Sequence, residues 1–157
     1  MGNANRGKQF EQVIKEAFLR VPGTSVIRLL DPTNGYMGIR NICDFIVYKY
    51  PHQYLIECKS VHENTFRYST KSNHITDTQW EGLLEAGKIK GVVSGVIVWY
   101  VLKDVTKFYP IWKLKRLKDA GKNSVRYDDE NGVVLCGVKK RVFFDYDMQQ
   151  FFDEVSL

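Results

Sequence analysis

Residues 42–60 read ICDFIVYKYPHQYLIECKS (Ile42–Ser60), two apolar runs rich in β-branched and aromatic residues on either side of Pro51. Runs of this kind around a turn residue predict adjacent antiparallel strands. With Asp44 of the first run opposite Glu57 of the second, the same register sets Tyr48 opposite Gln53. That leaves 49–52 as a four-residue loop, a common hairpin length. Side chains alternate faces along a strand, so Glu57 and Lys59 share one face and Cys58 takes the other. Asp44, Glu57 and Lys59 then converge on one patch. Two carboxylates and an ammonium suit a hard divalent cation beside an anionic substrate.

A Glu-x-Lys pair on an open strand is often a surface ion pair of little energetic worth. Here the flanking residues are Phe45, Ile46 and Val47, then Leu55, Ile56 and Cys58, apolar on both faces. Strands of that composition are usually covered on both sides, where an unpaired charge is costly. Charges kept in that setting need either each other or a metal.

An acid on one strand and Glu-x-Lys on the next resembles the PD-(D/E)xK nuclease signature, carried here by Asp44 and Glu57-Cys58-Lys59. Other stretches resemble the RecU-type Holliday-junction resolvases of Gram-positive bacteria and their phages. Asn5-Arg6-Gly7 followed by Glu11 is similar to that family's N-terminal helix motif. Phe66 to Gln79, ending Ile75-Thr76-Asp77-Thr78-Gln79, is similar to the segment leading into its next helix. Gly121-Lys122-Asn123-Ser124-Val125-Arg126 is similar to a segment near its C-terminus. The similarity runs patchily from residue 5 to about 126.

The resemblance implies a restriction-endonuclease-like α/β fold and in-line hydrolysis of DNA leaving a 5′-phosphate. It implies Mg²⁺, with Mn²⁺ able to substitute, a four-way junction as substrate, and a homodimer, since symmetrical nicking needs two related sites. Asp44, Glu57 and the backbone carbonyl of Cys58 would hold the metal. Lys59 would stabilise the phosphorane charge or orient the water, with Gln79 and Glu11 as auxiliary catalytic residues. Full-length members carry a protruding stalk near the central strands. Here the connection from Asp31 to Asn41 is short, as in a phage-type member with a reduced stalk, which weakens the case for junction selectivity more than for cleavage.

Elsewhere the chain reads as one domain over 1–157, ordinary in apolar content at 44% and with a net charge of +5. No apolar run reaches membrane-spanning length, and MGNANRGKQF lacks a signal-peptide core, so a cytoplasmic protein is expected. Cys43, Cys58 and Cys136 sit in apolar runs and read as reduced core thiols. Lys8–Arg20 predicts a helix, with Phe10, Val13, Ile14, Ala17 and Phe18 on one stripe. Glu11 at the stripe's edge is either an i,i+4 partner of Lys15 or the extra acid that the resemblance implies. Arg6 and Lys8 oppose the helix dipole and are read as phosphate contacts.

Ser25–Leu30 is expected as a strand, followed by a turn at 31–35 and a loop at 36–41. Arg28 and Arg40 could touch substrate but are read as solvated side chains. Val61–His74, with Arg67 and Lys71, is read as a mobile substrate-facing loop. Thr76–Lys88 predicts a helix opened by a Thr76-x-x-Gln79 capping box, which accounts for Gln79 without any catalytic role. Gly91–Leu102 is expected as a buried strand and Thr106–Tyr109 as an edge strand. A helix follows at Ile111–Ala120 with Pro110 at its first position. From Lys103 to Lys122 there are seven Lys or Arg against two Asp. With aromatic residues interleaved, Lys113, Lys115 and Arg116 are read as DNA contacts. Residues 123–132 are expected as loop, Val133–Cys136 and Arg141–Phe144 as short strands, and Asp147–Val155 as a helix. The rival readings are a related nuclease acting on flaps, duplex or a specific sequence, and a non-catalytic DNA-binding recombination accessory protein.

Overall fold

A computed structural model of the chain describes residues 3–30 and 41–155. Its helices are α1 (Asn3–Leu19), α2 (Asp77–Gly87), α3 (Ile111–Asp119) and α4 (Met148–Val155). The strands are β1 (Thr24–Arg28), β2 (Phe45–Lys49), β3 (His52–Val61), β4 (Thr65–Arg67), β5 (Val92–Tyr100), β6 (Val105–Pro110), β7 (Ser124–Arg126), β8 (Val133–Val134), β9 (Gly137–Lys139) and β10 (Phe144–Tyr146).

In the described residues β1-β2-β3-β5-β6-β8 form one six-stranded sheet. Its β3–β5 pair is parallel and its other pairs are antiparallel. α1 and α4 cover one face, burying Phe10, Ile14, Phe18, Phe151 and Phe152 against Phe45, Tyr54, Ile56 and Trp99. On the other face α2 and α3 bury Trp80, Leu83, Ile111 and Leu114 against Leu55, Val96, Val98 and Tyr109. This is a mixed sheet between helical layers, each helix laying its apolar stripe on a sheet whose strands are apolar on both faces.

The hairpin keeps the expected register, with Tyr48 opposite Gln53 and Phe45 opposite Ile56. Its loop is shorter than expected. Lys49 pairs with His52, so Tyr50 and Pro51 alone make the turn. β6 is not an edge strand, because β8 pairs along it. The 61–74 segment is not loop throughout: Val61 ends β3, β4 pairs with β7 inside the expected 123–132 loop, and Phe66 and Tyr68 are buried core. α1 starts earlier than its apolar stripe, which puts Arg6 and Lys8 within the helix. Pro110 caps α3 instead of opening it. Residues 141–142 form the tip of the β9–β10 hairpin rather than strand. The turn at 31–35, Arg40 and most of the short connection lie outside the described residues.

Two glycines mark close approaches, one between a helix and the sheet and one between neighbouring strands. A Cβ on Gly82 of α2 would lie 2.2 Å from Ile42 Cγ2, so α2 rests directly on the residues leading into β2. A Cβ on Gly95 of β5 would lie 2.4 Å from the Tyr109 carbonyl oxygen.

Candidate active site

Asp44 immediately precedes β2, and its backbone ties the neighbouring strands together. Its N–H donates to the Ile56 carbonyl at 3.0 Å, and its carbonyl accepts from Leu29 N–H at 2.8 Å. Beyond this point β2 no longer pairs with β3, and the Asp44 side chain covers the exposed edge. Asp44 Oδ2 accepts from the Cys58 N–H at 2.8 Å. The N–H and C=O of one strand residue leave by the same edge, so the Cys58 carbonyl faces the Asp44 side. The Cys58 thiol lies in the opposite core with Phe10 and Trp99, as the alternation requires.

Glu57 points to the α2 face and is 3% exposed. Gln79 Nε2 donates to its Oε1 at 2.9 Å, and Lys59 Nζ lies 3.0 Å from the same oxygen. Among the described residues its other oxygen, Oε2, is buried with no hydrogen-bond partner. Burial first, and the Asp44 charge second, push the Glu57 carboxyl up to about 8 against the pull of Lys59. One ammonium is too little counter-charge for a buried carboxylate with a second carboxylate beside it. Cys43 and Cys58 are buried thiols that take no part, whereas Cys136, expected in the core, is exposed. Burial, then the Glu57 and Asp44 charges, push Cys43 up to about 12, and burial raises Cys58 as well.

Both roles weighed for Gln79 are present in one side chain. Thr76 Oγ1 accepts from the Gln79 N–H at 3.2 Å, and Gln79 Oε1 accepts from the Thr76 N–H at 3.1 Å. This capping box fixes the amide oxygen toward the backbone and leaves the amide nitrogen aimed at Glu57. Glu11 sits close enough for its charge to raise the Glu57 carboxyl. It pairs with Arg28 at 2.8 Å, so Arg28 is not the solvated side chain expected. The pairing follows from topology: Arg28 stands opposite Phe45, next to Asp44, a position invisible until β1 is known to pair with β2.

Among the described residues no three His, Cys, Asp or Glu side chains cluster as a metal site. The oxygens available for a cation are Asp44, Glu57 and the Cys58 carbonyl. The orphaned Glu57 Oε2 is a buried carboxyl oxygen without a partner, one that a cation would draw into its ionised form, and a sparse oxygen set suits an ion that retains several waters. The residues present fit Mg²⁺.

The expected DNA contacts divide into two groups. Arg6 and Lys8 are exposed on α1 beside the end of β3, where a Cβ on Gly7 would lie 4.0 Å from Ser60 Oγ. Lys71 is exposed in the 68–76 connection, while Arg67 is committed to an ion pair with Glu63 and donates to the Ser72 carbonyl. Lys113, Lys115 and Arg116 are elsewhere. Lys113 and Lys115 line a cleft of about 530 Å³ with His52, Lys88 and Trp112, at the end of the sheet where β3 begins. His52 precedes Glu57 by five strand residues, roughly 16 Å. The structure brings Asp44, Glu57, Cys58, Lys59, Gln79 and Glu11 together and leaves that cationic group apart. Lys118, not singled out from the sequence, has its Nζ 5.2 Å from the ring centre of Trp80, the residue after Gln79.

No family model matches the chain. No curated protein matches it. Among solved structures it is similar to Hjc of Archaeoglobus fulgidus, a Holliday junction resolvase from an archaeal hyperthermophile. The two share 19% sequence identity at a TM-score of 0.53, over 76% of this chain and 88% of that one. At that identity the likeness speaks for architecture, and the architecture is that of the restriction-endonuclease-like fold, a central mixed sheet flanked by helices.

Proposed function

We propose that this protein is a divalent-metal-dependent endonuclease that hydrolyses phosphodiesters in branched DNA, a resolvase of Holliday junctions in recombination and repair. The observation that carries the reading is the buried Glu57 carboxylate. It has one oxygen held by Gln79 and Lys59 and the other orphaned, with Asp44 beside it, where β2 begins alongside the middle of β3 in a restriction-endonuclease-like fold. The RecU-type resemblance of the sequence motifs and the likeness to an archaeal resolvase support the same substrate class.

Asp44, Glu57 and the Cys58 carbonyl would hold Mg²⁺, or Mn²⁺ in its place. When bound, the cation neutralises charge on the phosphate and makes water a stronger acid. Gln79, fixed by its helix cap, orients the Glu57 carboxylate, and Cys58 N–H orients Asp44. Lys59 is partly exposed beside Glu57, with ammonium protons left to donate to a non-bridging phosphate oxygen or an attacking water. Arg6 and Lys8 on the neighbouring helix hold the backbone. A homodimer supplies the second site that paired nicks require.

Incubating the protein with a labelled four-way junction, a flap and a linear duplex, with and without Mg²⁺, tests this. Mg²⁺-dependent cleavage of the junction above the others is expected. Asp44→Asn and Glu57→Gln should each abolish it while junction binding persists in EDTA. Cleavage in either variant at the wild-type rate would remove that residue from the site. Preference for flap or duplex would assign the same chemistry to another substrate, and binding without cleavage would leave an accessory protein.

A further inference from the structure

The β9–β10 hairpin stands outside the main sheet, and three consecutive cations cross into its turn, Lys139 at the end of β9 and then Lys140 and Arg141. Lys139 is held in place. Its Nζ donates to Asp104 Oδ1 at 3.0 Å and to the Val142 carbonyl at 2.8 Å, and it lies 4.8 Å from the Phe144 ring centre. The next two are not: Lys140 and Arg141 are exposed, and among the described residues neither side chain has a hydrogen bond or an ion pair. Two adjacent unpaired cations on a turn repel one another. Neither is needed by the hairpin, whose register is set by β9–β10 pairing and by Phe143 packed on Trp99 at 5.2 Å between ring centres.

Their position is fixed relative to the carboxylates. Trp99 pairs with Ser60, the residue after Lys59. Phe143 thus anchors the tip at the same end of the sheet as Glu57 and Lys59, but on the α1 face instead of the α2 face. The groove between α1 and the hairpin is lined by Gln9, Val13, Lys140, Arg141 and Phe143, together with Glu16 and the Arg20–Asp145 ion pair, so its cationic part is the hairpin tip. Arg6 precedes Gln9 by one helical repeat, which extends the same stripe of α1 toward the site.

We infer that the hairpin tip is a second DNA-contacting element, in which Lys140 and Arg141, continued by Arg6, bind the phosphate backbone of a duplex arm lying on the α1 face. The inference rests on the proposed nuclease function and adds a contact on the face away from the scissile phosphate. Ser60 lies three strand residues from Glu57, roughly 10 Å, and the tip lies one side-chain layer further. At about 3.4 Å per nucleotide the contacted phosphates are roughly five nucleotides from the cleavage point. A duplex arm held there must leave the catalytic face at an angle, which a branched substrate does without bending.

The test measures binding to a four-way junction in EDTA by wild type, Lys140→Ala/Arg141→Ala, and a control of equal charge change at the opposite end of the sheet and outside the α3 cleft, Lys49→Ala/Lys90→Ala. Losing two phosphate contacts should lower the log–log salt slope by about 1.8. Between 50 and 200 mM salt, a fourfold rise, the hairpin variant should therefore lose about twelvefold less affinity than wild type. The control should keep the wild-type slope, and hydroxyl-radical footprinting should lose protection only at phosphates distant from the cut. An unchanged slope in the hairpin variant, or the same change in the control, overturns the inference while leaving the nuclease reading intact. Wild-type protein that binds no DNA overturns both.

Discussion

Glu57 is held in a state that disfavours its charge. Its carboxyl is pushed from the ordinary 4.5 up to about 8, by burial and then by Asp44. The folded protein therefore keeps a proton that the unfolded chain gives up, and unfolding between those values releases it. That contribution to stability is complete below about pH 4.5 and is lost progressively as pH rises through about 8. In the absence of divalent cations the melting temperature should fall as pH is raised across this window. Glu57→Gln should flatten the fall and melt higher than wild type at alkaline pH, because a neutral amide avoids the buried charge. A wild-type melting curve with no slope in this window would mean that Glu57 is ionised and compensated. Lys59 gives a second test. Lys59→Ala should cut turnover by orders of magnitude with little change in DNA affinity, since only interactions stronger in the transition state raise the rate. Lys59→Arg keeps the charge with a planar head and should also be impaired; full activity there would make Lys59 a structural partner of Glu57. At this scale the strand period and the hairpin register together made the placement of Asp44, Glu57 and Lys59 legible, since they put Glu57 and Lys59 on one face with Cys58 on the other. The partner of Glu11 was not legible, because it comes from a strand whose neighbour only the fold supplies.

Among the elements, α2 is what turns a strand motif into a site. Its cap orients Gln79, and Gly82 lets its axis settle on Ile42, two residues before Asp44. Gly82→Ala should force α2 outward and withdraw the Gln79 amide from Glu57. Overpacking of this kind costs about 1–3 kcal/mol, here opposed by the better helix propensity of Ala. Differential scanning calorimetry should show lower stability and cleavage assays a lower rate, with Ile42→Ala partly restoring both in the double variant. Wild-type stability in Gly82→Ala would mean that the helix is seated less firmly than the glycine spacing says. Helices and central strands were readable because their apolar periods are long. The 61–74 segment was misread because its polar residues outnumber Phe66 and Tyr68, which decide its place by pairing it with β7. No local pattern announces a pairing between residues so far apart in the chain. The hairpin turn was overestimated by two residues for a related reason: Lys49 and His52 look like loop residues, yet their backbones complete the ladder.

Over the whole molecule, positive charge falls into separate districts. Arg6, Lys8, Lys140 and Arg141 gather at the carboxylate end, while Lys113, Lys115 and Arg116 occupy α3, with Lys113 and Lys115 beside the cleft at the far end. The α3 group is also partly neutralised. Lys115 pairs with Asp119, and Lys113 and Arg116 lie 5.6 and 5.9 Å from the Trp112 ring centre. Trp112 itself is 52% exposed, which suits a base or sugar more than a core. If a long DNA arm runs down α3, replacing Lys113, Lys115 and Arg116 with Ala should lower the salt slope for a junction by at most about 2.7, three contacts at about 0.9 each. The measured fall should be smaller than that, because Lys115 already has a partner. The effect should depend on arm length. With the cleft roughly 16 Å from Glu57, arms shorter than about five base pairs end before reaching it, and the triple variant should bind them as wild type does. Magnesium uptake, measured by titration calorimetry, should be unchanged, since none of the three touches Asp44 or Glu57. A slope unaltered on long arms would make this side of α3 a solvated surface and confine DNA to the carboxylate end. An equal loss on short and long arms would mean that the triple variant disturbs α3 itself, and with it the seat of Trp80 beside Gln79.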